Sequence, residues 1–153
     1  MRVATVTSKV DLSDAGRDEA GLRSSAVMHI GEVAARTELS LRSLRHWEEV
    51  GLLAPSGRTE GGFRLYTEDD VEKILVIRRM KPLGFTLDEM KAVLDDIEAL
   101  RDPATSDTAQ VEARDRLASV QAEAADRRHK LVRQLEMADE FIGLLTRETT
   151  TRR

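Results

Sequence analysis

From Ile30 onward, apolar and polar positions alternate with a helical period. Ile30, Val33 and Ala34 fall on one face, the spacing of a short amphipathic helix. A break follows at Thr37 and Glu38, and then comes Ser40-Leu-Arg-Ser-Leu-Arg-His-Trp-Glu-Glu-Val-Gly-Leu-Leu53. Ser40 has the hydroxyl of an N-cap. Leu39 and Leu44 flank it at the spacing of a hydrophobic staple. The pattern predicts helix, turn, helix, the second helix starting on Ser40 and stopping at Gly51. Leu41, Leu44 and Trp47 share the side facing the first helix, which leaves Arg42, Arg45 and His46 on the other.

Pro55, Gly57, Gly61 and Gly62 then precede Phe63-Arg-Leu-Tyr66. This reads as a small hairpin, with Gly61 and Gly62 able to take positive φ at its tip. Thr67-Glu-Asp-Asp70 is a capping-box sequence predicting a helix from Glu68 to about Pro82, with Val71, Ile74, Leu75 and Ile77 or Arg78 inward. Thr86-Leu-Asp-Glu89 repeats the device before a helix whose apolar face is Leu87, Met90, Val93, Leu94 and Ile97. Residues 102–108 form a polar linker.

From Ala109 to Arg147, Leu117, Val120, Ala124, Leu131, Leu135, Ala138, Phe141 or Ile142, and Leu145 recur at steps of three and four, with an interruption near Arg127 and Arg128. Such a helix spans roughly 50 to 60 Å, too long for the preceding hundred residues to cover. The stripe therefore predicts a dimeric coiled coil; the alternative is a helix folded back on its own domain. Residues 1–27 lack a sustained period and read as a flexible N-terminal extension, with Met28 as an alternative start. Residues 148–153 read as a C-terminal tail. The expected architecture is all-α with a small β wing: a winged helix-turn-helix DNA-binding domain over residues 28–101, followed by a long dimerising coiled-coil helix.

Composition narrows the chemistry. The 153 residues are 41 % apolar, 34 % charged and only 3 % aromatic, which suits solvated helices better than a large aromatic core. The formal net charge of -4 argues against nonspecific coating of nucleic acid but leaves a locally basic site open. With no cysteine, disulfides, thiolate metal sites, iron–sulfur clusters and cysteine nucleophiles are excluded. No run approaches the roughly 18 to 20 apolar residues of a spanning helix, so a soluble, cytoplasmic protein without membrane contact is expected.

A helix-turn-helix followed by a hairpin is the winged arrangement, whose second helix enters a major groove. Arg42 and Arg45 lie three residues apart near the start of that helix, where a bidentate arginine on guanine discriminates by about 1 to 3 kcal/mol. The competing assignment pairs Arg45 with Glu49 at i,i+4 and leaves Arg42 merely solvated. A second basic cluster, Arg58 and Arg64 with Phe63 and Tyr66 interleaved, favours DNA. His46 with Glu49 and His29 with Glu32 are the HxxE pairs present. Neither has a third ligand at metal spacing, so no catalytic or metal-binding role and no cofactor is expected.

Ile30-Gly-Glu-Val-Ala34, Ser40-Leu-Arg-Ser-Leu-Arg45, Glu48-Glu-Val-Gly-Leu-Leu53, Arg58-Thr-Glu-Gly-Gly-Phe-Arg-Leu-Tyr66 and Leu83-Gly-Phe-Thr-Leu-Asp-Glu-Met90 follow one another in unbroken order. In this the chain resembles the MerR family of transcription regulators. The resemblance implies a homodimer joined by an antiparallel coiled coil (residues 109–147), each winged domain on half of a palindromic promoter operator. It also implies distortion of the double-stranded DNA that realigns the elements recognised by RNA polymerase. By analogy Ser40, Arg42, Arg45, His46 and Trp47 are the recognition-helix contacts, and Arg58, Phe63, Arg64 and Tyr66 those of the wing.

Three departures accompany the resemblance. His46-Trp47 stands where the family usually has paired tyrosines, so Trp47 serves either packing or, through its indole N–H, a phosphate. Glu38 stands where the turn commonly has glycine, at a cost of about 1 kcal/mol if that position needs positive φ. Metal- and redox-sensing members use cysteines, and drug-sensing members append a ligand domain, whereas here only six residues follow the long helix. A small-molecule effector, a partner protein or no signal at all therefore remain open. Rival functions are an architectural or excisionase-like DNA-binding protein without an effector switch, and a coiled-coil adaptor with a vestigial wing.

Overall fold

The computed structural model describes residues 27–151; the predicted extension lies outside them apart from Val27. The elements in order are β1 (Met28–His29), α1 (Ile30–Thr37), α2 (Leu41–Glu49), β2 (Gly57–Arg58), β3 (Arg64–Tyr66), α3 (Glu68–Met80), a 3₁₀ turn (Lys81–Leu83), α4 (Leu87–Arg101) and α5 (Asp107–Thr150). They form two compact units, one reaching Ile74 and the other beginning at Leu75. The division falls inside α3, whereas the sequence boundaries place it after residue 101. The reason is that α4 packs along α5.

In the first unit, α1 ends at Thr37, whose buried hydroxyl donates to the Val33 carbonyl at 2.7 Å. Glu38 then takes φ 54°, and its N–H caps the Ala34 carbonyl. This is the left-handed position anticipated for the turn, held here by a side chain that glycine would spare. α2 opens on Ser40, whose Oγ accepts from the Ser43 N–H at 3.0 Å. Past its end, Leu52 and Leu53 N–H groups both return to the Trp47 carbonyl, at 2.9 and 3.1 Å, through Gly51 at φ 75°.

The strands add an element that the pattern did not foretell. The sheet has three strands in the order β1-β3-β2, all antiparallel, because Met28 and His29 pair with Tyr66 and Leu65. Two residues are too few to show an alternation. Of the two tip glycines, only Gly62 has positive φ, 79°. The core of this unit gathers Val33, Leu44, Trp47, Leu53, Tyr66 and Ile74, all buried. Leu41, expected inward, is exposed instead, since as the first residue of α2 it precedes the turn that meets α1. Thr67 and Asp70 cap α3 reciprocally: Thr67 N–H donates to Asp70 Oδ2 at 2.8 Å and Asp70 N–H to Thr67 Oγ1 at 3.3 Å.

In the second unit, Thr86 and Glu89 form the predicted capping box of α4. Met90, Val93 and Leu94 are buried, while Leu87 is exposed. The connection to α5 spans only residues 102–106, and α5 runs 44 residues, Asp107–Thr150, about 66 Å. It thus starts inside the predicted linker and takes in residues 148–150 of the predicted tail. Its stripe behaves differently at its two ends. Ala113 is buried, Leu117, Val120 and Ala124 are partly covered, and Asp96 of α4 holds Arg116 at 2.7 to 3.2 Å through two oxygens. Arg127 closes this half. Its Nη1 donates to the Leu83 carbonyl at 3.2 Å, and its guanidinium lies 4.1 Å from the centre of the Phe85 ring, a cation–π distance. Beyond it Leu131, Leu135, Ile142 and Leu145 are all exposed.

Candidate nucleic-acid interface

The recognition-helix residues divide by direction. Arg42, Arg45 and His46 are exposed, whereas Leu44 and Trp47 are buried. This is the helical geometry of α2 at work: Leu44 and Trp47 are three apart and turn inward, so Arg42, Arg45 and His46 turn outward. Among the described residues, neither Arg42 nor Arg45 has an ion pair or hydrogen bond. The Arg45–Glu49 pair considered from the sequence is not formed. Two guanidiniums without a protein counter-ion, three residues apart, are free to meet acceptors on a ligand. Ser40 is exposed, with its hydroxyl engaged by the Ser43 amide and lying 2.9 Å from the Ser43 hydroxyl. Its place is that of a cap, and its backbone leads α2 outward.

Trp47 and Tyr66, named from the sequence as contact residues, need correction. Trp47 is 3 % exposed and Tyr66 0 %, so the body of each ring is packed inside the unit rather than laid against a ligand. Both fill the core that sets the attitude of α2 and of the wing. Apolar packing wins because an aromatic side chain of this size is the largest available filler between a short helix and a three-stranded sheet. The Tyr66 hydroxyl is enclosed without a hydrogen-bond partner among the described residues. Burial pushes its pKa up, and the negative charge of Glu48 adds to that shift.

The wing side chains behave differently. Phe63 is 67 % exposed and meets His29 edge-on, ring centres 6.4 Å apart. With Ile30 and Arg64 they line a shallow recess of about 480 Å³. Arg58 and Arg64 both turn toward α2, where Glu48 forms an ion pair with Arg64 Nε through Oε2 and lies 3.4 Å from Arg58 Nη2 through Oε1. Arg58 Nη1 also donates to the Gly62 carbonyl at 3.1 Å. Sequence reasoning named Glu48 only within the motif that carries the resemblance and gave it no role. Its signal was weak, because an acidic residue near a helix end reads as solvated until the hairpin is folded against it.

A second surface pair, Arg36 with Glu68, joins α1 to the start of α3 at 2.5 and 2.8 Å. The hydrogen bond from Arg36 holds the Glu68 carboxyl below its ordinary range. No group of three or more His, Cys, Asp or Glu side chains is placed to hold a metal among the described residues. No described helix is long and apolar enough to cross a membrane.

Residues 28–97 match the model of the MerR HTH family regulatory protein, and residues 71–137 match that of MerR, DNA binding. The HTH-type transcriptional regulator CueR of Vibrio cholerae is 45 % identical over 67 residues, 44 % of this chain and 48 % of that protein. The nodulation protein NolA of Bradyrhizobium sp. (strain NC92) is 41 % identical over 73 residues, 48 % of this chain and 31 % of that protein. The chain spans about a quarter to a half of the length of the curated relatives it matches. A MerR-family transcriptional regulator from Bacillus cereus superposes with a TM-score of 0.58 at 28 % identity, covering 82 % of both chains. The winged helix-turn-helix, the long helix that follows it and the two overlapping family matches agree, and the chain belongs to the MerR family of DNA-binding transcription regulators.

Proposed function

We propose that this protein binds a palindromic promoter operator as a homodimer and modulates transcription by distorting the DNA between its two half-sites. The observation that carries the proposal is the state of α2: Arg42 and Arg45 are exposed and unpartnered, with the wing fastened beside them through Glu48. In this reading Arg42, Arg45 and His46 meet base edges or phosphates in the major groove, and Arg58 and Phe63 meet the backbone beside it, with Arg64 holding the wing to α2 through Glu48. Ser40 orients the helix start.

The apolar half of α5 beyond Arg127 supports the dimer. Four large aliphatic side chains at coiled-coil spacing lie bare in a single chain, and a second copy running antiparallel buries them. Two linked heads then require two half-sites, which is why a palindrome is the expected target. The setting is cytoplasmic, RNA polymerase is the partner at the promoter, and an effector would act through the dimer.

Selection of bound fragments from genomic DNA, followed by footprinting, tests this. One protected palindrome per fragment is the expected pattern, while tandem protection without symmetry would replace this reading with an architectural one. Replacing Arg42 or Arg45 by alanine is expected to weaken operator binding by about 1 to 3 kcal/mol if that arginine reads a base, with relaxed preference at one position. A phosphate-contacting arginine would instead lower affinity evenly across sequences. Wild-type affinity in both variants would refute the assignment of α2.

A further inference from the structure

Arg58 and Arg64 are direct partners across the β2–β3 ladder, and like charges so opposed destabilise a hairpin. The fold sets one carboxylate against both. Glu48, the next-to-last residue of α2, pairs with Arg64 and approaches Arg58 at 3.4 Å, while its own side chain is only 12 % exposed. The two cations differ in how they are held. Arg64 is 33 % exposed and paired closely through Nε; Arg58 is 52 % exposed, its contact is long, and its remaining anchor is the Gly62 carbonyl. Two guanidiniums against the one carboxylate of Glu48 leave Arg58 the less closely matched cation, with Glu60 exposed at the hairpin tip.

We propose that Glu48 is a positioning residue for duplex binding: it fixes the wing against the recognition helix by retaining Arg64, and so leaves Arg58 as the guanidinium available to a DNA phosphate. A phosphate can take Arg58 without stranding the Glu48 carboxylate, since Arg64 remains its partner. The same carboxylate limits indiscriminate attraction, because it withholds one wing cation from any duplex that approaches. The inference rests on the reading that α2 and the wing meet duplex DNA.

The test compares wild type, Glu48→Gln and Glu48→Asp on an operator selected by the wild-type protein and on an unrelated duplex, each across a salt series, with circular dichroism to verify the fold. Glu48→Gln releases Arg64. The expected result is a steeper log K against log salt on the unrelated duplex, by about 0.9 for one added phosphate contact, and an operator-to-unrelated affinity ratio about tenfold lower. Glu48→Asp keeps the charge but draws the carboxylate back by one methylene, so operator affinity should fall several-fold with an unchanged salt slope.

A Glu48→Gln variant with both the wild-type slope and the wild-type ratio overturns the proposal, as does a Glu48→Asp variant with wild-type operator affinity. Should Glu48→Gln lose its fold, Glu48→Asp decides alone. A wild-type protein that binds no duplex defeats the functional reading itself, which is distinct from variants that match a wild type that does bind.

Discussion

Replacing Leu135 by alanine separates the two halves of α5. Leu135 is 63 % exposed in the single chain, and burying a leucine side chain completely is worth about 1.5 to 3 kcal/mol. The portion a partner can still cover is therefore worth roughly 1 to 2 kcal/mol, of which a remaining methyl keeps a part. A two-fold dimer loses the contact twice, so the association should weaken by about 2 to 3 kcal/mol, or roughly 30- to 150-fold in Kd. Alanine is the better helix former, so α5 itself should persist. Leu117, in the half already covered within its own chain, is the control: Leu117→Ala should lower thermal stability by about 2 kcal/mol in a manner independent of protein concentration. Sedimentation equilibrium over a concentration series measures the first effect and calorimetry the second. A Leu135→Ala protein that self-associates as tightly as wild type would refute the argument, and so would a wild type that remains monomeric throughout.

Three further outcomes are expected. Burial raises the pKa of Tyr66, the chain's single tyrosine, so the unfolded chain ionises first as pH climbs; the stability it contributes is complete below about pH 10 and is lost as pH rises through the folded value. Tyr66→Phe should reduce that alkaline loss in pH-dependent denaturation, at a neutral-pH change within about 1 kcal/mol, because the hydroxyl has no bond to lose. Glu38→Gly should raise stability by about 0.5 to 1 kcal/mol, the left-handed strain less the added entropy of the unfolded chain, and an unchanged or lower melting temperature would show that the Glu38 side chain compensates. Arg127→Met should cost about 1 to 2 kcal/mol through the Leu83 carbonyl and Phe85 contacts, read as a lower denaturation midpoint, whereas an unaltered midpoint would remove Arg127 as the end of the covered half.

Several features of the site were readable from local chemistry. Ser40, Thr67 and Thr86 each cap the helix they were assigned, because an N-cap depends on a hydroxyl or carboxylate and amides within three residues of it. The left-handed position at Glu38 was pointed to by the resemblance alone, which implies glycine there. Trp47 and Tyr66 were harder. An aromatic beside arginines reads equally as an interface residue and as packing, and only the position of the sheet relative to α2 distinguishes them. Strand β1 was hidden for a similar reason: Met28 and His29 become a strand by virtue of Tyr66 and Leu65, almost forty residues away.

The sequence by itself determined the helices, their caps, the place of Arg42 and Arg45 on the outward side of α2 and the periodic stripe of α5, because each rests on a period or a contact within a few residues. Tertiary structure decided the rest. It assigned Glu48 to both wing arginines and withdrew two aromatics into the core. It also divided the stripe, at the interruption the pattern shows near Arg127, into a half covered by α4 and a half left bare. Those outcomes depend on which distant surfaces meet, and a pattern along the chain records only that a face is apolar or charged, not what arrives to cover it.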